Sequence, residues 1–142
     1  MALEAFSLAG KSALVSGAAT GLGQAIAFGL AEAGAEVVGT FHRQPPDDTR
    51  RRVEATGRRF YGVDADLADP ASTRALLGRA LEHVDHLDIL VNNAGIIRRA
   101  DLLDFSETDW DDVLNVNLKS IFLLSQRSAG HMVQRKVRGK II

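Results

Sequence analysis

Three glycines, Gly17, Gly21 and Gly23, punctuate the stretch SGAATGLG at residues 16–23, after a short apolar run and before a segment of helical spacing. A glycine loop between a strand and a helix is where a dinucleotide pyrophosphate sits, against backbone N–H groups and the positive end of the helix. Gly17 allows the tight turn, Gly21 the close approach of the ligand, and Gly23 the contact between helix and sheet. Thr20 and Leu22 lie on the same loop and are read with it as cofactor-binding. Roughly twenty residues further on, a carboxylate would bind the 2′-hydroxyl of NAD, whereas an arginine would accept the 2′-phosphate of NADP. The run there is GTFHR, with Phe41 in the acid's place and His42 and Arg43 after it. NAD is the expected cofactor, with NADP the alternative that Arg43 would serve.

Arg98 and Arg99 follow a predicted strand at its carboxyl end, where ligands of open parallel sheets bind. They are either a guanidinium fork for a substrate carboxylate or two solvated loop arginines. His83 and His86, beside Glu82, Asp85 and Asp88, have metal-ligand chemistry at a helix end, where imidazoles are also stabilised without any metal. We read them as surface and expect no metal. His42 and His131 stand alone, with no ligand partner near them in sequence. Arg50, Arg51 and Arg52, after Asp47 and Asp48, read as a solvated helix face.

These residues need a frame. Ser12–Ser16, Glu36–Thr40, Arg59–Val63, Leu87–Val91 and the final KII are short and rich in branched or aromatic residues, as strands covered on both faces would be. The segments between them are helical. Leu22, Ile26, Ala27 and Leu30 predict the buried face of the first helix, and Gly34 its left-handed end. Asp69 and Pro70 predict a capped start, followed by a stripe of Leu76, Leu77, Ala80, Leu81 and Val84. Ser106, with Asp109 three residues on, opens a helix that runs from Trp110 toward Arg135. Strand and helix alternate, which predicts an α/β fold: a doubly wound parallel sheet of about four and a half βα units, with residues 1–142 forming one dinucleotide-binding domain.

Composition excludes other classes. Of 142 residues, 46% are hydrophobic, enough for one core. Seventeen basic against eighteen acidic residues give a net charge of -1, so nothing in the total points to nucleic acid. No run approaches a membrane span, and the start, MALEAFSLAGK, lacks the features of a secretory signal. Cysteine is absent, which removes disulfides and thiolate chemistry and fits the cytoplasm.

The loop spacing, with three residues between the first two glycines, resembles the T-G-x-x-x-G-x-G loop of the short-chain dehydrogenase/reductase family, Ser16 replacing the threonine. NNAG at 92–95, VNL at 116–118 and DADL at 64–67 resemble its other signatures, in the same order. The resemblance covers the whole chain and implies a Rossmann-like sheet. It also implies that Asp66 and the Leu67 backbone meet the adenine, that Asn93, Ala94 and Gly95 lie along the nicotinamide-side ribose, and that Asn117 holds a water in the proton relay. Thr20 stands before Gly21, where members that prefer the phosphate often carry a basic residue. The stretch NNAGIIRRADLLDFSETDWDDVLNVNLKSIF resembles the family's sugar-acid branch. That likeness implies interconversion of a secondary hydroxyl and a ketone on a gluconate- or deoxygluconate-type acid, with Arg98 or Arg99 on the substrate. The helix carrying Asn117 is apolar around much of its circumference, and the family's dimers and tetramers pair through it.

The family's acid/base is a tyrosine with a lysine four residues later, and a serine positions the substrate. The one tyrosine, Tyr61, has no lysine at that spacing. The chain is expected to stop within the fifth strand, before these residues, and so to be inactive alone. The alternative is a non-catalytic fragment that binds a dinucleotide or a partner chain.

Overall fold

Apolar residues stand side by side along the strands, and only a sheet covered on both faces can bury them all. The computed structural model describes residues 4–142 and has that architecture; the reading of the chain start falls partly on residues 1–3, outside the described residues. A 3₁₀ turn, Glu4–Phe6, precedes β1 (Ser12–Val15), α1 (Gly21–Glu32), β2 (Glu36–Phe41), α2 (Asp47–Glu54) and β3 (Phe60–Asp64). Next come α3 (Pro70–Ala80), β4 (Ile89–Val91), α4 (Glu107–Leu114), a π-helical segment (Asn115–Lys119), α5 (Ser120–Gln134) and β5 (Lys140–Ile141). The five strands are parallel in the order β3-β2-β1-β4-β5. Among the described residues no helix is long and apolar enough to cross a membrane.

Alternate residues of each strand serve opposite layers. Ala13, Val15, Val37, Phe60, Ile89 and Val91 pack with Ala27 and Ala31 of α1 and Val53 of α2. Leu14, Val38, Val63 and Leu90 pack with Leu76, Leu77 and Ala80 of α3 and Leu124 and Met132 of α5. Phe60 lies so close to β2 that a Cβ on Gly39 would come within 2.6 Å of its ring. The Arg50 guanidinium sits 5.6 Å from the same ring and donates to the Phe60 carbonyl. Arg50 stays exposed while making these contacts, and Arg51 and Arg52 pair outward with Asp48, so the three arginines lie on a solvated face as expected.

The helix ends follow their caps. The Asp69 carboxylate accepts from the Ala71 N–H, Pro70 opens α3, and Ser106 Oγ accepts from the Asp109 N–H. Gly34 ends α1 at φ +112°. Two expectations change. Leu22 is 78% exposed and Gly23 takes its place on the buried face of α1, because the first turn of α1 tips its leucine toward the loop cavity. The helix from Ser106 is interrupted by the π turn, and its apolar residues divide: Val116, Leu123 and Leu124 are buried, while Trp110, Leu114, Leu118 and Phe122 are exposed. Trp110 is not core.

At the amino ends of β1 and β4, Asp88 is buried and collects three partners. It accepts from Lys11 Nζ and the Ser12 N–H, both at 2.9 Å, and lies 3.0 Å from His86 Nε2. Burial pushes its pKa up, but the Ser12 N–H, Lys11 and His86 outweigh that and leave it below the ordinary carboxylate value. His131 Nε2 accepts from the Leu87 N–H, and burial, with Arg135 and His86 nearby, depresses its pKa. Both groups bind protons more weakly in the folded state, so both contributions are present at neutral pH and lost on acidification. Stability is expected to fall first below about pH 6.5 as His131 charges, then again below about pH 4 as Asp88 protonates. Urea midpoints between pH 7 and pH 3 check this, and Asp88→Asn should cost about 2 kcal/mol at pH 7 and remove the second step. A flat profile would contradict it.

Candidate functional site

Strand order reverses between β1 and β4, and in open parallel sheets the crevice at such a point lies beyond the carboxyl ends of the strands. One hydroxyl ties the two strand ends together there. Ser16 Oγ accepts from the Asn93 and Ala94 N–H groups, each at 3.0 Å. The Asn93 amide in turn donates to the Ser16 and Gly17 carbonyls at 3.0 and 3.1 Å. From the other side, Thr40 of β2 takes the Gly17 N–H on its hydroxyl and the Ala18 N–H on its carbonyl, at 2.9 and 2.8 Å.

The glycines are explained by what surrounds them. Gly17 turns at φ +69°, and a Cβ on it would lie 3.0 Å from Ala94 Cα. A Cβ on Gly23 would come within 2.0 Å of the Gly17 carbonyl oxygen and 2.6 Å of Asn93 Nδ2. Gly23 thus brings the helix against the loop and Asn93, rather than against the sheet as expected. Gly21, at φ +58°, has open space where its Cβ would stand. Thr20 precedes α1 in extended conformation without a side-chain cap, so the first N–H groups of α1 keep no protein partner.

These parts enclose a cavity of about 370 Å³. Of the residues singled out in the sequence, Gly17, Thr20, Leu22 and Gly23 line it from the loop, and Phe41 and His42 from the end of β2. Asp66 and Leu67 line it from the turn after β3, and Asn93, Ala94 and Gly95 from the turn after β4. Gly21, Arg43, Asn117, Arg98 and Arg99 do not. Ala65 and Val116 line it from within the DADL and VNL motifs, whereas Thr40, Gln44 and Ile96 also line it and carried no signal of their own; Thr40 is brought there by the strand register.

His42 is not alone. Parallel register sets Phe41 opposite Asp64, which leaves His42 Nδ1 3.5 Å from Asp64 and Nε2 3.9 Å from Asp66. One Asp66 oxygen also accepts from the Ala68 N–H. Arg43 occupies a left-handed conformation at φ +65° outside the cavity wall. Asn117 lies in the π segment, where its amide accepts from the Ile96 N–H and donates to the Ile96 carbonyl, both at 2.8 Å. The single wider turn of a π segment is a feature that recurs at functional sites. Arg98 is committed to Asp109 at 3.1 Å and Asp112 at 3.9 Å, whereas Arg99 is exposed and makes no ion pair among the described residues.

The histidines near the end of α3 have other partners. His83 stacks on Tyr61 with centroids 5.0 Å apart, and His86 pairs with Asp88. Among the described residues no group of three or more metal-ligating side chains forms.

The family model for short chain dehydrogenases matches residues 11–142. The chain belongs to the short-chain dehydrogenase family. A member from Escherichia coli, 2-dehydro-3-deoxy-D-gluconate 5-dehydrogenase, is 53% identical over all of this chain and 56% of its own length. The Bacillus subtilis protein of the same name is 47% identical over 98% of this chain and 54% of its own. A solved short chain dehydrogenase from Burkholderia cenocepacia, in complex with NADP, is 43% identical with a TM-score of 0.83, covering 87% of this chain and 51% of that one. The chain thus spans about half the length of the curated relatives it matches.

The crowding around Gly23 generates a test. Gly23→Ala should cost about 3 kcal/mol and abolish dinucleotide binding, because the added methyl displaces the Gly17 peptide. Gly21→Ala should cost about 1 kcal/mol, from its positive φ alone. Equal thermal stabilities for the two variants would contradict this account of the loop.

Proposed function

We propose that this protein is a nicotinamide-dinucleotide-dependent oxidoreductase, interconverting a secondary hydroxyl and a ketone on a sugar acid of the deoxygluconate type. The observation that carries the reading is the cavity at the strand-order reversal, bordered by a loop in which Gly17 and Gly23 leave no room for a Cβ and by the unpartnered N–H groups that open α1. That cradle suits a dinucleotide diphosphate. The bound nicotinamide would give or take hydride at the substrate carbon. The two relatives named as 2-dehydro-3-deoxy-D-gluconate 5-dehydrogenases support the substrate class.

In this reading residues 1–142 are one dinucleotide-binding domain. The loop from Gly17 to Gly23 binds the diphosphate, Asp66 and Leu67 border the adenine, and Asn93, Ala94 and Gly95 line the inner ribose. Asn117 holds the Ile96 peptide beside that ribose and serves the proton relay. The tyrosine, lysine and serine that the family resemblance calls for are not among these residues, since Tyr61 lies in β3. That observation favours the second reading, a dinucleotide-binding fragment without catalysis, for a polypeptide of these residues alone.

NAD is the proposed cofactor. Asp64 and Asp66 place two carboxylates at the adenosine end, where a 2′-phosphate would meet repulsion, and Arg43 stands outside the wall. The NADP complex of the Burkholderia relative supports the alternative. For the substrate carboxylate we propose Arg99, because Arg98 is already paired with Asp109 and Asp112. The exposed stripe of Trp110, Leu114, Leu118 and Phe122 is the proposed contact with a second copy of the chain, in a dimer or tetramer.

Steady-state assays of the purified protein test the activity. Oxidation of 2-deoxygluconate-type acids should show a lower KM for NAD than for NADP, and Arg99→Gln should raise the sugar-acid KM about tenfold with kcat nearly unchanged. Dinucleotide binding without turnover in a preparation of 15.3 kDa intact mass would establish the non-catalytic reading instead. No dinucleotide binding would refute both. Light scattering tests the assembly: Phe122→Glu should release monomers from a wild-type oligomer, and a monomeric wild type would contradict it.

A further inference from the structure

Thr49 belongs to α2 and takes no part in the cavity wall, yet it is fully buried and its hydroxyl points at the glycine loop. Thr49 Oγ1 donates toward the Ala18 carbonyl at 2.8 Å and the Ala19 carbonyl at 3.2 Å. It accepts from Gln24 Nε2 at 3.0 Å, and that same amide reaches the Ala19 carbonyl at 3.4 Å and Asp48 at 3.2 Å. Two successive loop carbonyls are therefore held on the α2 side.

In a trans peptide the carbonyl and the following N–H point in opposite directions, and the described chain has no cis peptide. Holding the Ala18 and Ala19 carbonyls against α2 turns the N–H groups of Ala19 and Thr20 away from it, and both residues line the cavity. Upstream, Thr40 already consumes the Gly17 and Ala18 N–H groups. The loop's available donors thus begin at the two peptides that Thr49 orients. We propose that Thr49 is a positioning residue that aims the Ala19 and Thr20 N–H groups at the diphosphate of a bound dinucleotide. Without the hydroxyl the Ala18 carbonyl loses this partner and the Ala19 carbonyl keeps only the longer Gln24 contact, so these peptides can turn, and a carbonyl turned into the cavity would repel phosphate. The inference rests on the dinucleotide reading above.

The test compares Thr49→Val, which keeps the shape and loses the hydroxyl, with Thr49→Ser, which keeps the hydroxyl. Calorimetry with ADP-ribose and saturation-transfer NMR with adenosine separate diphosphate recognition from the adenine pocket. Thr49→Val should weaken ADP-ribose about tenfold and leave adenosine nearly unchanged, and Thr49→Ser should stay within about twofold of wild type. A Thr49→Val protein that binds ADP-ribose like wild type overturns the proposal. So does a Thr49→Ser protein as weak as the valine variant, or an equal loss of both ligands. Should the valine variant fail to fold, Gln24→Leu removes the donor to Thr49 and should weaken ADP-ribose about threefold with adenosine unchanged; no change would overturn the proposal. A wild-type protein that binds neither ligand refutes the dinucleotide reading and the positioning role with it.

Discussion

The site depends on one hydroxyl at one topological reversal. Ser16 follows β1 directly, and its Oγ receives the Asn93 and Ala94 N–H groups as the chain leaves β4. Those two strands are neighbours, but their connections run to opposite sides of the sheet, so the crevice between the outgoing turns has no side chain of its own to close it. The Ser16 bonds, with the Asn93 amide on the Ser16 and Gly17 carbonyls, set the spacing of the two turns. Gly23 then brings the first turn of α1 into contact with the same carbonyl, at a distance no side chain would permit. Loosening any of these contacts would let the crevice close or widen.

Much of this arrangement is legible along the chain, for reasons tied to particular residues. The alternation of branched strands and amphipathic helices announces a parallel sheet, because only burial on both faces explains Leu14 between Ala13 and Val15. Asp69, Pro70, Ser106 and Gly34 mark helix ends through local chemistry, which needs no tertiary information. What could not be read depends on register or on distant approach. Thr40 and Thr49 reach the glycine loop from β2 and α2, and His42 meets Asp64 and Asp66 because strands β2 and β3 run side by side. Asp88 offered metal-ligand chemistry in the sequence and instead fastens β1 to β4 through Lys11 and the Ser12 N–H. The π turn at Asn117 breaks the expected run of one regular helix, and its amide, turned to Ile96, is the side-chain contact that goes with it.

The two ends of the cavity differ in character. The loop end offers backbone donors, preorganised by Thr40, Thr49 and the start of α1. The end proposed for the adenosine is bordered by Asp66 and His42, with Asp64 close by, so two carboxylates face one imidazole there. Beyond Gly95 the wall passes to Ile96, held in both directions by Asn117. Arg98 fastens the following loop to α4 and leaves Arg99 exposed. Binding groups, positioning groups and the proposed substrate contact thus follow one another along the carboxyl edge of a single sheet.

The central claim is that the loop and the strand ends around it form a diphosphate cradle. Backbone amide chemical shifts followed during titration with ADP-ribose test it most directly. The account predicts saturable shifts concentrated at Ala19–Gly23, Phe41, His42, Asp66 and Leu67, with Arg59, Tyr61 and His83 unchanged. Saturable shifts centred elsewhere on the molecule, or none at all, would contradict it.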